Sequence, residues 1–362
     1  MRVAIDEQIF VAQRFGGISR MFVSLMEEFR FRPELEVTLQ PLTNRVINHY
    51  LLHSPELVST LGVRTASSTL TALAGYLVTP RPRPRVDIVH NTFYLPHGLA
   101  GYPGARRIVT VHDMIPELMP HTRRRLDFIT LKKAYVQRAD HIICVSEATR
   151  RDLEAVYGPP AVPVSVIHHG VDGRFSPTAP RLEFLPRDYL LFVGNRSQYK
   201  DVDTLYRAFA ELAANDETLT LVLVGGGQLT STEQARLREL GIHERVMQRS
   251  LADEELPGAY AHATIFVFPS QHEGFGLPVL EAMASGVPTV LARATSLPEV
   301  GGDAAAYFAP GDSSDLACTL SELMGNRDRM KALAQLGRAR AAMFTWHDAA
   351  VRTAQVYESV LG

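Results

Sequence analysis

Two glutamates eight positions apart, Glu273 and Glu281, lie in FPSQHEGFGLPVLEAMASGVP (268–288), a segment patterned as a strand end, a turn and a short helix. Phe266 to Phe268 closes the strand, Pro278 suits a first helical position, and Gly286 stands where the helix should stop. The opening turn of such a helix leaves N–H groups unpaired at the positive end of its dipole, and Gly274 and Gly276 let backbone approach a ligand closely. Phosphate is the ligand this loop suits. Glu281, one turn into the helix with its side chain directed back along it, can accept hydrogen bonds from both hydroxyls of a ribose. Either glutamate alone would be read as a partner for the helix dipole or as a surface residue; the glycines and the proline beside them favour a site.

A second loop, in LLFVGNRSQYKDVDTLYRAF (190–209), offers Arg196 and Lys200 between a buried strand and a helix. Two cations at a strand end suit a diphosphate, and they stabilise it most as it leaves a breaking bond. Asp201-Val202-Asp203 imitates an Asp-x-Asp metal signature, but the positions fit an N-cap and a first helical turn, so no metal is expected. Gly16-Gly17, between the first strand and an amphipathic helix, can close backbone N–H groups onto a phosphate. In RIVTVHDMIPE (107–117), His112 and Asp113 end a strand, where the imidazole can orient a sugar hydroxyl, move a proton, or serve structure alone. Gly225-Gly226-Gly227 follows a strand, but Thr230 breaks the G-x-G-x-x-G register and a nicotinamide cofactor is disfavoured.

Parallel strands alternating with amphipathic helices must position these loops, because short Val/Ile/Leu runs alternate with longer amphipathic stretches throughout. Strands are predicted at Arg2–Ile5, Asp87–Asn91, Arg107–His112, His141–Ser146 and Val164–His168, then at Tyr189–Gly194, Leu219–Gly225, Val246–Leu251, Thr264–Pro269 and Pro288–Ala292. The class is α/β. Proline-rich GRFSPTAPRLEFLPR (173–187) reads as a linker between two doubly wound, Rossmann-like domains facing a cleft, with the first ending at 182.

The 362 residues suffice for two such domains, and 46% hydrophobic with 21% charged residues is the composition of a soluble globular protein. Cys144 and Cys318 alone make neither a disulfide framework nor a thiolate metal site, and no secretory signal or membrane-length apolar run is visible, so a cytoplasmic location is expected. The net charge of −2 divides into +6 up to residue 182 and −8 beyond it. RPRPR (81–85), Arg106-Arg107, Arg123-Arg124-Arg125 and Lys132-Lys133 carry much of the excess. They read as a solvated face or as peripheral contact with the anionic inner face of a membrane; with no aromatic residues interleaved, nucleic acid is not an expected partner.

In combination these segments resemble the retaining glycosyltransferases of family 4, which have the two-domain GT-B fold. The likeness rests on EGFGLPVLEAMASGVP with its E-x7-E spacing, LFVGNRSQYKD, LVLVGGG, HHGVD (168–172), VSEATRRDL (145–153), VHDMIPE and FGGISR, in that family's order and over nearly the whole chain. It implies a final helix in 346–362 that returns to the first domain (1–182), leaving 183–345 as the nucleotide-sugar-binding domain. It further implies catalytic roles for Glu273, His112, Lys200 and Arg196. Donor binding falls to Glu281 on the ribose, to Gly16 and Gly17 closing over the diphosphate, to Phe275, Gly276 and Leu277 at the sugar and phosphates, and to Ser250 and Leu251 near the base. Tyr199 departs from the pattern, since many relatives carry arginine there.

The implied reaction moves a sugar from a nucleotide-sugar donor, with GDP-mannose or a related GDP-sugar favoured by the VHDMIPE likeness, to a lipid-linked or oligosaccharide acceptor in surface polysaccharide synthesis, with no metal or other cofactor. The alternatives are another GT-B enzyme, an epimerase or a phosphorylase, and an inactive nucleotide-sugar-binding protein.

Overall fold

Strand cores such as YLLFV (Tyr189–Val193) and IFVF (Ile265–Phe268) are apolar at every position because a parallel sheet is covered by helices on both faces, and all of these residues but the partly exposed Val193 are almost completely buried. The computed structural model describes residues 1–32, 35–40, 45–72, 85–100, 102–119 and 128–362. They form two units, Met1–Gly170 with Trp346–Gly362, and Val171–Thr345.

In chain order the first unit contributes β1 (Arg2–Asp6), β2 (Glu36–Gln40), the short β3 (Arg45–Val46) and β4 (Arg64–Thr65), β5 (Ile88–Asn91), β6 (Arg106–Val111), β7 (His141–Cys144) and β8 (Val164–Val166). Its main sheet is parallel throughout in the order β2-β1-β5-β6-β7-β8, while β3 and β4 pair separately. The sequence reading missed β2, whose EVTLQ alternates apolar and polar residues as befits an edge strand bonded only to β1. The closing helix Trp346–Leu361 packs on this unit: Ala350, Ala354 and Tyr357 enter its core, and the Tyr357 hydroxyl meets His90 Nδ1 at 2.7 Å.

The second unit contains β9 (Tyr189–Val193), β10 (Thr220–Val224), β11 (Val246–Arg249), β12 (Ile265–Phe268), β13 (Thr289–Ala292) and β14 (Ala306–Phe308), all parallel in the order β11-β10-β9-β12-β13-β14. Only the three-residue edge strand β14 escaped the sequence reading. The order reverses between β9 and β12, so the loops beyond Val193 and Phe268 flank the crevice where sheets of this kind bind ligands.

The unit boundary differs from the expected one at 182. Residues 171–182 pack with the second unit: Arg174 Nη1 pairs with Asp253, and His262 Nε2 meets the Ala179 carbonyl at 2.9 Å. Prolines read as linker punctuation thus belong to a strap with fixed partners. The surface expected from the basic clusters also changes. Arg107 is buried against Asn91 Oδ1 and the Gly98 carbonyl, and Lys132 is buried against Glu117, so neither belongs to a solvated face. Residues 81–84 and Arg123 to Arg125 lie outside the described residues.

Candidate active site

In the second unit, β9 runs into a turn, the short helix Gln198–Lys200 and the helix Val202–Ala213; β12 runs into a polar turn and the helix Leu277–Ala284. These two loops bring Lys200 and Glu273 together: Nζ donates to Oε1 at 2.5 Å, with the two side chains only 11% and 10% exposed. The ammonium also lies 4.9 Å from the Phe268 ring centroid and 5.3 Å from that of Tyr199. An ion pair so placed has lost most of its hydration, so each member depends on the other to offset the cost of burial.

The helix Leu277–Ala284 opens as read. Gly276 is its N-cap at φ +106°, a conformation only glycine adopts without strain, and no side chain caps the helix, so its first N–H groups are not met by a capping side chain. Pro278 stands at the second helical position, one later than expected, and Gly286 follows the helix end at φ +73°. Phe275 is buried and Leu277 partly exposed. Glu281 is buried and accepts a hydrogen bond from the Tyr260 hydroxyl at 2.8 Å, which fixes the carboxylate expected to meet a ribose. Ser250 and Leu251 follow β11, Ser250 exposed and Leu251 partly so.

Arg196 departs from its expected place. Its Nε donates to Glu233 Oε1 at 2.5 Å, Nη1 to the Gly225 carbonyl at 2.7 Å, and Nη2 to the carbonyls of Gly227 and Gln228 at 3.0 Å each. Burial works against the Glu233 carboxylate, but Arg196 and the Thr230 donors hold its carboxyl below the usual range. The guanidinium therefore braces the loop after β10, its donors engaged by Glu233 and three main-chain carbonyls. The glycine run is what admits it: residues 225–227 all have positive φ, and a Cβ on Gly226 would lie 2.6 Å from Arg196 Nη1. Of the three glycines that fail a dinucleotide register, Gly226 is thus the one whose missing side chain leaves room for the arginine.

Two residues beyond β13 were missed. Thr295 Oγ1 accepts from the Glu273 N–H at 2.9 Å, and the wholly buried Ser296 hydroxyl lies 3.1 Å from the Glu273 carbonyl and 2.9 Å from that of Phe275. Thr295 has φ +45°, rare for a β-branched residue, so the backbone there is strained in order to reach the Glu273 loop. A Thr-Ser pair carries no recognisable signal in sequence. Asp201 and Asp203 have separate partners: Asp201 Oδ2 accepts from Thr204 Oγ1 and Gln271 Nε2 at 2.9 Å each, and Asp203 pairs with Arg236 at 2.7 Å and Arg207 at 3.2 Å. Asp201 occupies the N-cap position, at φ +50°, but its carboxylate bonds side chains where a backbone bond was expected.

In the first unit, His112 follows β6 and is buried, yet among the described residues neither ring nitrogen has a hydrogen-bond partner. Burial pushes its pKa down to about 4 despite Asp113, which favours the charged ring, so it is neutral near pH 7. The Thr92 main chain lies near enough to favour protonation, though outside hydrogen-bond geometry. The adjoining segment is anchored: Lys132 Nζ donates to the Asp113 carbonyl at 2.9 Å and to Glu117 Oε2 at 2.8 Å, and Glu117 Oε1 accepts from Tyr157. A buried ring with both nitrogens unmet is expensive unless a ligand completes it. Gly17 begins the helix Gly17–Phe29, and Gly16 is its N-cap in extended backbone. A Cβ on Gly16 would strike the Gln13 amide at 2.2 Å, and Gln13 Oε1 accepts from Ser19 N at 3.3 Å, so that side chain lies across the loop.

Two Rossmann-like units, each built on a six-stranded parallel sheet, are the architecture of the GT-B fold. Solved structures agree on the fold: a sucrose-phosphate synthase from Thermosynechococcus elongatus superposes with TM-score 0.75 at 20% identity, over 99% of both chains. HepE of Anabaena in complex with UDP-glucose gives 0.74 at 18% identity, over 99% of this chain and 100% of that one.

The glycosyl transferases group 1 family model matches residues 179–340 and the glycosyltransferase family 4 model matches residues 15–174. Among curated proteins, O-antigen chain mannosyltransferase B of Escherichia coli is 30% identical over 74% of this chain and 72% of its own length. The MMP alpha-(1->4)-mannosyltransferase of Mycolicibacterium hassiacum is 30% identical over 76% and 71%. The chain belongs to glycosyltransferase family 4, is an enzyme that transfers glycosyl groups, and has mannosyltransferases among its relatives.

Proposed function

We propose that this glycosyltransferase moves a mannosyl or related residue from a GDP-sugar to a lipid-linked or saccharide acceptor in surface polysaccharide synthesis, with retention of configuration. The observation that carries this reading is the Lys200–Glu273 pair between the loops after β9 and β12, beside the uncapped opening of the Leu277–Ala284 helix. The names of the mannosyltransferase relatives, one of them an O-antigen enzyme, support the sugar and the polysaccharide.

In the reaction the bond between the anomeric carbon and the diphosphate oxygen breaks. The sugar becomes oxocarbenium-like and the nucleoside diphosphate gains negative charge. Lys200 and the N–H groups at Gly276 and Leu277 meet that charge, each well-placed donor contributing about 3–4 kcal/mol to the barrier's reduction. The acceptor oxygen bonds the anomeric carbon and passes its proton to a phosphate oxygen. Glu273 orients the sugar and Lys200, Glu281 holds the ribose, and Ser250 and Leu251 border the base. His112, neutral, is free to hydrogen-bond a sugar hydroxyl. Gly16 and Gly17 supply N–H groups to the diphosphate. Arg196 shapes the loop beside the nucleotide without touching its phosphates.

The reading needs no metal, because Asp201 and Asp203 are engaged with other side chains and the transition-state charge has cationic and dipolar partners of its own. No helix among the described residues is long and apolar enough to cross a membrane, and a peripheral membrane contact would rest on residues other than Arg107 and Lys132. The test is thermal stabilisation by a panel of nucleotide sugars followed by turnover of the best binder with excess chelator. Stabilisation by GDP-mannose and undiminished chelated activity are expected; preference for a uridine donor would overturn the assigned base, and loss with chelator the metal-free mechanism.

A further inference from the structure

The first unit holds a cavity of about 720 Å³ that no part of the donor reading uses. It lies between the segment after β1 and the β3–β4 region, and its walls are built firmly. The buried Asn48 side chain donates to the carbonyls of Gln13 and Arg14, the His49 N–H donates to the Arg14 carbonyl at 2.9 Å, and Ala66 N donates to Val46 O at 2.8 Å. The volume is that of a pocket for a small organic molecule.

Its lining is sorted by chemistry. Leu52, Val58 and Val63 supply an apolar wall. Arg14, Arg64, His49 and His53 supply nitrogen groups, and Thr65 and Ser67 add hydroxyls, while no carboxylate lines the cavity among the described residues. Neither the Arg14 nor the Arg64 guanidinium has an ion-pair partner among the described residues, unlike Arg196, Arg107 and Arg245, whose guanidiniums are engaged within the chain. Arg14 lies 5.5 Å over the Phe15 ring, and that ring is 4.7 Å from His49, so guanidinium, aromatic ring and imidazole form one block next to Gly16.

Two exposed arginines at the mouth of a pocket without acids select an anion with several oxygens, because guanidinium forks match phosphate geometry. The apolar wall suits a hydrocarbon attached to that anion. We propose that this cavity binds the phosphate group of the acceptor, with Arg14 and Arg64 as its cationic ligands. The proposal rests on the transfer reading above and names the acceptor class: a phosphorylated compound, whether a polyprenyl lipid or a soluble sugar phosphate.

The test is calorimetric titration of the full chain with farnesyl diphosphate and, separately, inorganic pyrophosphate, each in saturating GDP to fill the donor site, for the unaltered protein and for the double variant Arg14→Ala/Arg64→Ala. GDP titrated alone reports on the donor reading independently, and its failure to bind leaves the comparison between the two proteins valid. At least a tenfold loss of affinity for the phosphorylated probe is expected in the double variant, with Arg14→Lys/Arg64→Lys recovering most of it and GDP binding unchanged in both. Farnesyl diphosphate binding tenfold or more tighter than pyrophosphate would identify the lipid as the source of the phosphate; equal binding would identify the soluble compound. Affinities for both probes that the double substitution leaves untouched, or no binding of either probe to the unaltered protein, would overturn the proposal.

Discussion

Lys200 and Glu273 each depend on the other, which makes their substitution informative in two ways. Lys200→Ala should lower kcat by at least about a hundredfold if the ammonium meets the departing diphosphate. It should also cost about 3–5 kcal/mol of stability, because it leaves a buried carboxylate unpaired. Lys200→Met with Glu273→Gln should recover the urea midpoint but not the activity; recovery of both would make the pair structural. Arg196→Ala belongs to a different case. Its loss should lower stability and raise the donor KM while reducing kcat far less than Lys200→Ala does, since its guanidinium grips the carbonyls of residues 225–228. The pairing of Lys200 with Glu273 was legible only as two polar residues in strand-end loops. Which of two nearby cations faces the carboxylate depends on the course of the backbone between Gly194 and Asp201, and no residue type reports that.

The elements around the site were read more fully than the contacts within it. Ten strands were placed within two residues at each end because buried parallel strands are uninterrupted apolar runs, several of which stop at a glycine, histidine or proline such as Gly194, Gly225, His112 or Pro269. The edge strands β2 and β14 were missed because β2 alternates polar and apolar residues and β14 is only three residues long, so neither is an uninterrupted apolar run. Between elements, Thr295 and Ser296 tie the loop after β13 to the loop after β12. Thr295→Gly and Thr295→Ala both remove the acceptor of the Glu273 N–H, but only glycine relieves the positive φ. The glycine variant should therefore be the more stable by about 0.5–1 kcal/mol, as measured by urea unfolding. Both should lose activity alike, since both release Glu273.

For the molecule as a whole, four buried histidines of the first unit link its stability to pH, His141 in the same direction as the three most strongly shifted, His90, His112 and His169. Burial pushes the pKa of His90 down to about 3, that of His112 to about 4 and that of His169 to about 3. In the unfolded chain each titrates near about 6.5, so between that pH and about 4 the unfolded state binds protons the folded state refuses. Their contribution is complete above pH 6.5 and is lost as pH falls, each ring adding up to ~1.4 kcal/mol per pH unit to the slope. Unfolding between pH 7 and 4 should show the first unit melting before the second; a first unit indifferent to pH would refute these assignments. By the same shift, His112 stays neutral across pH 5–8, and no limb near pH 6.5 in the activity profile should belong to it.

Local patterning was sufficient for the fold class and for the central strands of both sheets, since periodicity and the placement of glycine and proline act over a few neighbours. Folding in three dimensions decided that Arg196 braces a glycine loop, that Lys132 and Arg107 are interior, that residues 171–182 form a strap, and that Arg14 and Arg64 share a cavity. Each of these outcomes joins groups that are well separated in the chain, as Arg196 and Glu233 are by 37 positions. Such partnerships depend on which surfaces the packed sheets and helices bring within a few ångströms, and a chain written in one dimension carries no measure of that distance.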